Sequence, residues 1–281
     1  MPLHPHPVME QIRITELYTL FEILRSNNFS FKGETHNFWE CMYIISGSVC
    51  ISADERVYQA EAGTLIFHKP MEFHKFHVTH ESGAVLFIFT FSAEGPLTHY
   101  LQNKVFSLTE QQKFWLSSLL DFLHSKTNKG PLVPDVYCEY LTPWDQSASY
   151  GQTVSLYLQQ LFLSLLENST LSLTDVNEAA VIFGQAVCYL NMNVHRQPTV
   201  LEVAEYCHVS ESKIKRIFQK YAGISVHKYL LNIKIKASIK LLSEGKSVAE
   251  VSERLGFVSP CYFSKAFKRE THVNPSSYRQ Q

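Results

Sequence analysis

"EVAEYCHVSESKIKRIFQKYAGISVHKY" spans residues 202–229, and "EVSERLGFVSPCYFSKAFKRETHVNPSSY" spans 250–278. With one set above the other, Glu202, Val203 and Glu205 match Glu250, Val251 and Glu253 at an offset of 48. After one inserted turn residue, Val209, Ser210, Phe218 and Tyr229 match Val258, Ser259, Phe267 and Tyr278 at 49. Each copy reads as a short helix, a tight turn and a second helix opened by Ser210 or Ser259, whose hydroxyl caps free amides at a helix start. Pro260 falls at the first helical position, where its missing N–H costs nothing. Helical spacing puts Ile214, Ile217, Phe218 and Tyr221 on a buried face in copy one, and Phe263, Ala266 and Phe267 in copy two. Ser212, Lys213, Lys215, Arg216 and Gln219 face out in the first, as Cys261, Tyr262, Ser264, Lys265 and Lys268 do, or nearly so, in the second. Such a helix suits a DNA major groove, although charged outer faces are also ordinary for solvated helices.

Charge favours the first reading. Residues 185–281 hold 15 Lys and Arg against 7 Asp and Glu, net +8, while residues 1–184 hold 10 against 19, net −9. A basic domain joined to an acidic one points to a polyanion, double-stranded DNA, as partner of the C-terminal part alone. Between the copies, "SVHKYLLNIKIKASIKLLSEGK" (225–246) reads as one helix carrying Lys228, Lys234, Lys236 and Lys240. As a rigid spacer it suits two reading helices about one DNA turn, roughly 34 Å, apart.

The rest of the chain has a different rhythm. Residues 12–92 alternate short apolar runs with turn residues, the pattern of an all-β sandwich or barrel. Stretches 108–126 and 153–167 switch to helical spacing and present Leu116, Leu119, Leu120 and Leu123, and Leu158, Leu161, Phe162 and Leu165. Residues 129–151 read as a long loop with at most short elements, and a third helix runs from about Asp175 to Asn193. No apolar run is long enough for a membrane span, the N-terminus "MPLHPHPVME" has no signal-like apolar core, and the six cysteines form no CxxC pair. A cytoplasmic protein is expected. No glycine-rich phosphate loop or G-x-S-x-G elbow appears, so no enzyme activity is expected.

Two resemblances sharpen these expectations. "LLSEGKSVAEVSERLGFVSPCYFSKAFKRETHVNPSSYR" resembles the C-terminal signature of the AraC/XylS family of transcription regulators, over about residues 180–281. The resemblance implies that Ser212, Lys215 and Arg216 in the first reading helix, and Cys261, Ser264 and Lys265 in the second, face base edges. Lys220, Lys234, Lys268 and Arg279 would touch phosphates or brace the fold. Upstream, "GETHNFWECMYIISG" (33–47) and "AGTLIFHKPMEFH" (62–74) resemble the two motifs of the cupin barrel in the form that precedes AraC-type regions. His36, Glu40 and Gly47 match the first motif, and Gly63, Pro70 and His74 the second.

That likeness leaves two readings of the polar set open. His36, Glu40 and His74, with Glu34, are candidate ligands for iron, manganese or zinc; alternatively they hydrogen-bond a sugar or other small polar effector. The metal-free sensor is the expected form, so no cofactor is assigned. Trp39, Tyr43, Phe67 and Phe76 are the aromatic candidates for the cavity wall, with core filling as the alternative. His68 has no motif match, His77 faces away from His74, and His80 lies about 20 Å along the strand from it.

The expected architecture is therefore multidomain: a cupin-like barrel (1–100), a helical linker or dimerisation region (101–174) and an all-α domain with two helix-turn-helix motifs (175–281). The expected function is a ligand-responsive regulator; contact with RNA polymerase, activation and a homodimer are what the resemblance implies. A metal-dependent cupin enzyme fused to a DNA-binding domain, and a constitutive DNA-binding protein with a scaffold barrel, are the alternatives.

Overall fold

A computed structural model describes residues 6–127, 131–140, 148–167, 178–271 and 273–280. The chain divides into two compact units, residues 1–51 with 58–174, and 52–57 with 175–281.

The first unit is built on antiparallel strands. A six-stranded sheet runs in the order β8 (Val105–Ser107), β5 (Thr64–His68), β2 (Trp39–Ser46), β7 (Ala84–Glu94), β1 (Arg13–Arg25) and β9 (Tyr137–Glu139). A three-stranded sheet runs β4 (Arg56–Glu61), β3 (Ser48–Ala53), β6 (His74–Val78). Gly47 makes the β2–β3 turn with φ +82°, and a Cβ there would lie 2.3 Å from the Gly83 carbonyl oxygen, so both conformation and space call for glycine. After β7 come α1 (Leu97–Leu101), α2 (Glu110–Lys126) and α3 (Ala148–Ser164). Thr109 opens α2 with a reciprocal capping box to Gln112.

Strand alternation sorts the side chains of the large sheet into two sets. Leu20 of β1, Trp39, Cys41 and Tyr43 of β2, Phe67 of β5 and Phe87, Phe89 and Phe91 of β7 join one core with Leu116, Leu119, Leu123, Leu158, Leu161, Phe162 and Leu165 from the helical layer. The leucine stripes expected from the sequence are thus used within the chain, against the sheet. Thr19, Phe21, Ile23 and Arg25, Glu40, and Ile88 and Thr90 point the other way and line a cavity.

Apart from the strand residues within 52–57, the regular elements described in the second unit are helical: α4 (Glu178–Met192), α5 (Val200–Tyr206), α6 (Glu211–Tyr221), α7 (Val226–Ser243), α8 (Val248–Arg254) and α9 (Pro260–Thr271). The third helix is described over Glu178–Met192; residues 175–177, where its start was expected, lie outside the described part. Thr199–Glu202 and Ser247–Glu250 form capping boxes at the starts of α5 and α8, 48 residues apart, so the repeat extends to the caps. The Ser210 hydroxyl accepts from the Lys213 amide and that of Ser259 from the Tyr262 amide, opening α6 and α9. Phe183 of α4 packs on Phe218 and Tyr221 of α6 and Tyr229 of α7. Ile235 and Leu242 of α7 share the second core with Val251, Leu255, Phe263 and Phe267.

Candidate functional site

The barrel cavity has a volume of about 310 Å³ and is walled by Phe21, Phe31, Phe38, Phe76, Ile88 and Tyr137, with Glu34, His36 and Glu40 as a polar corner. His74 adjoins that corner from β6. Its Nε2 lies 3.4 Å from one Glu40 oxygen and 3.8 Å from Glu34, while His36 Nε2 lies 3.5 Å from the other Glu40 oxygen. Both imidazoles donate from Nδ1 to backbone carbonyls, His36 to Phe38 at 3.0 Å and His74 to Glu72 at 3.2 Å, which fixes ring orientation and turns Nε2 toward Glu40. Neither Nε2 has a hydrogen-bond partner of good geometry.

Burial by itself would raise the Glu40 carboxyl, but the charge of His74 and contacts from His36 and His74 outweigh it and hold the group well below the usual carboxylate range. Burial would likewise lower His74; the Glu40 charge and contacts with Glu34 prevail and raise it to about 10. Glu40 and His74 are therefore a buried ion pair at neutral pH.

Single ligand atoms of Glu34, His36, Glu40 and His74 all lie within 4.8 Å of one another. The two imidazole nitrogens, which lack a well-aligned hydrogen bond, and the two carboxylates form a donor set that, with His74 deprotonated, fits iron, manganese or zinc. The four residues come from the segment before β2, from β2 and from β6. The expected convergence of His36, Glu40 and His74, with Glu34, is what the geometry displays.

Two expectations need correction. Trp39 and Tyr43 do not share the cavity with Glu40. They alternate with it on β2 and pack, with Phe67, against the helical layer, whereas Phe76 does line the cavity. His68, set aside in the sequence, is buried and stacks on His74 with ring centres 4.4 Å apart, while its Nδ1 bonds Glu72 at 2.8 Å. Burial, then the His74 charge, lowers its pKa. Sequence reasoning missed it because its place is set by pairing: His68 of β5 is in register with Glu40 of β2. Arg25 was missed too. Its guanidinium lies 3.9 Å over Phe29, pairs with Asp135 at 3.3 Å and donates to the Tyr137 hydroxyl at 2.8 Å, so it ties the segment around β9 to the cavity rim. The alternation Thr19, Phe21, Ile23, Arg25 was the available signal.

In the helical unit, Ser212, Lys215, Arg216 and Lys220 of α6 and Cys261, Lys265 and Lys268 of α9 are exposed, and Ser264 is half-buried. Among the described residues, Arg216, Lys265 and Lys268 have no acidic partner, whereas Lys215 pairs with Glu211 at 3.1 Å on the surface. Lys213 is held by Glu178 at 2.8 Å. Lys234 is a brace: 2% exposed, it donates to the carbonyls of Leu255 at 2.6 Å and Gly256 at 3.3 Å at the end of α8. Burial lowers its pKa to about 8. The side chain of Arg279 lies outside the described part. No described helix is long and apolar enough to cross a membrane.

Comparison with known proteins agrees with this two-part geometry. Residues 18–94 match the AraC-like ligand binding domain, and residues 203–281 match a helix-turn-helix domain. The HTH-type transcriptional regulator YfiF of Bacillus subtilis is 22% identical over 90% of this chain and 80% of its own. The lactose operon transcription activator of Staphylococcus xylosus is 30% identical over 52% of this chain and 53% of its own. The msm operon regulatory protein of Streptococcus mutans is 31% identical over 44% and 46%. This chain thus spans about half the length of those two operon regulators. Among solved structures, ToxT of Vibrio cholerae aligns over 93% of this chain and 96% of its own, at 15% identity and a TM-score of 0.38. The DNA-binding domain of AdpA in complex with a target DNA covers 34% of this chain and 86% of its own, at 27% identity and a TM-score of 0.32. With an AraC-like ligand binding domain followed by a duplicated helix-turn-helix, the chain belongs to the AraC/XylS family of transcription regulators.

Proposed function

We propose that the chain is a cytoplasmic, non-enzymatic regulator that binds a small polar effector, such as a carbohydrate, in the barrel cavity and reads two adjacent major-groove segments with α6 and α9. The observation that carries this is the duplicated unit, each copy presenting a capped helix with a polar outer face on an aromatic core. Ser212, Lys215 and Arg216, and Cys261, Ser264 and Lys265, read base edges; Lys220 and Lys268 supply phosphate contacts, which give affinity without sequence choice. In the cavity, Glu40, His36 and Glu34 bond ligand hydroxyls while the phenylalanine walls cover apolar ring faces. Effector binding shifts the population of DNA-competent arrangements. RNA polymerase is the partner in activation.

A homodimer would have to use surface other than the leucine stripes buried against the sheet. Leu156 and Leu163, seven apart on α3 and 59% and 43% exposed, are the candidates. The convergence of Glu34, His36, Glu40 and His74 favours a second reading of the cavity, in which the four hold a divalent metal. Metal analysis of the purified full-length protein separates the two: stoichiometric iron, manganese or zinc supports the second. Selection from randomised duplexes tests the DNA claim. The expected outcome is an enriched site with information in two segments about one helical turn apart; enrichment of no sequence contradicts it.

A further inference from the structure

Resting on the DNA-reading function above, we propose that the second helix-turn-helix recognises thymine through its C5-methyl group, with Val258 and Tyr262 as the apolar contacts. The two copies of the repeat differ at this point. In copy one the turn after α5 closes with the Val209 amide bonded to the Ala204 carbonyl, and Val209 is half-buried. In copy two the inserted residue, Phe257, takes that place, its amide bonded to Ser252, and its ring packs 4.9 Å from Phe263. Val258 is thereby pushed outward and is 94% exposed, immediately before the cap of α9.

Tyr262, half exposed in the first turn of α9, lines the same recess as Val258, and its ring centre lies 6.3 Å from that of Phe257. Phe257 is in turn braced by Phe263 and by Lys234, whose Nζ lies 5.3 Å from the ring centre. The Phe257 ring beside Tyr262 is thus held before any partner arrives, which lowers the ordering cost of binding on that side of the edge. α6 has no such edge: none of its described residues is an exposed large hydrophobic.

The position of this edge identifies its occupant. The N-terminal residues of a reading helix are the ones that reach base edges. In the major groove the apolar group a base presents is the thymine methyl, and the net charge of +8 over residues 185–281 brings the polyanion to this surface. Copy one, with Arg216 and Lys215 and no apolar edge, is left to hydrogen-bonded readout, so the two half-sites differ in chemistry.

The test uses the full-length protein and the duplex it selects. Each thymine is replaced in turn by uracil, which removes the methyl and leaves the hydrogen-bonding edge intact, and affinity is read by fluorescence anisotropy at fixed salt. Uracil at one or two positions of a single half-site is expected to weaken binding about fourfold per methyl, the equivalent of about 0.8 kcal/mol for one buried carbon. Val258→Ser, at a site where folding buries nothing, and Tyr262→Ser as a second variant, should bind the thymine duplex more weakly and lose the discrimination. Uracil indifference at every position, a selected site without thymine in the half that responds to Val258→Ser, or full discrimination retained by both variants would overturn the proposal alone. Failure to select any sequence would overturn the DNA-reading function as well.

Discussion

Glu40 and His74 show how a single pair governs the barrel interior. Folding raises His74 from 6.5 to about 10 and lowers Glu40 from 4.5. The His74 contribution is fully present below pH 6.5 and is lost as pH rises toward 10; that of Glu40 is present above pH 4.5 and is lost only in acid. The pair therefore stabilises the fold most between these values, and melting measured from pH 6.5 to 10 should show a decline that His74→Phe flattens. Glu40→Gln leaves a buried imidazolium without its carboxylate and should lower the unfolding free energy by about 3 to 5 kcal/mol in denaturant titration. On α6, Arg216 is exposed and, among the described residues, has no acidic partner, so Arg216→Ala should relax preference at one or two base pairs at a cost of about 1 to 3 kcal/mol. An unchanged binding profile removes Arg216 from the reading set. Motif spacing made Glu40, His36 and His74 legible. It hid His68, whose neighbours come from strand pairing, and misplaced Trp39 and Tyr43, which stand an odd number of residues from Glu40 on β2 and so face the other way.

The helix-turn-helix elements were legible because everything that shapes them is local. Caps, turn residues and apolar spacing all fall within about ten residues of one another. The left-handed residue after the first helix of each unit is the point of strain: His208 with φ 53° in copy one and Gly256 with φ 59° in copy two, 48 residues apart. A Cβ at Gly256 would sit 2.2 Å from the His195 carbonyl oxygen, so Gly256→Ala should destabilise the helical unit by about 1 to 3 kcal/mol. His208→Ala, at an exposed site where a side chain is already accommodated, should change stability by less than about 0.5 kcal/mol. Thermal unfolding of the two variants side by side checks both. The short β9 was not legible as a cavity wall, because its role comes from Asp135 and Tyr137 meeting Arg25, more than a hundred residues upstream.

Over the whole chain, an acidic barrel unit carries a cavity with an ionised corner, and a basic helical unit carries the two copies of the helix-turn-helix. Neither charge block is visible in the net charge of −1. For effector and DNA to be linked, each must alter the affinity of the other by the same factor. The most direct measurement is the affinity of the full-length protein for its selected duplex, at fixed salt, across a panel of sugars and other small polar metabolites, repeated with Glu40→Gln. At least one compound is expected to change DNA affinity by about fivefold or more, as coupling free energies of about 1 to 3 kcal/mol imply, with the change lost in the variant. The same affinity across the panel, or an effect that survives Glu40→Gln undiminished, would contradict it.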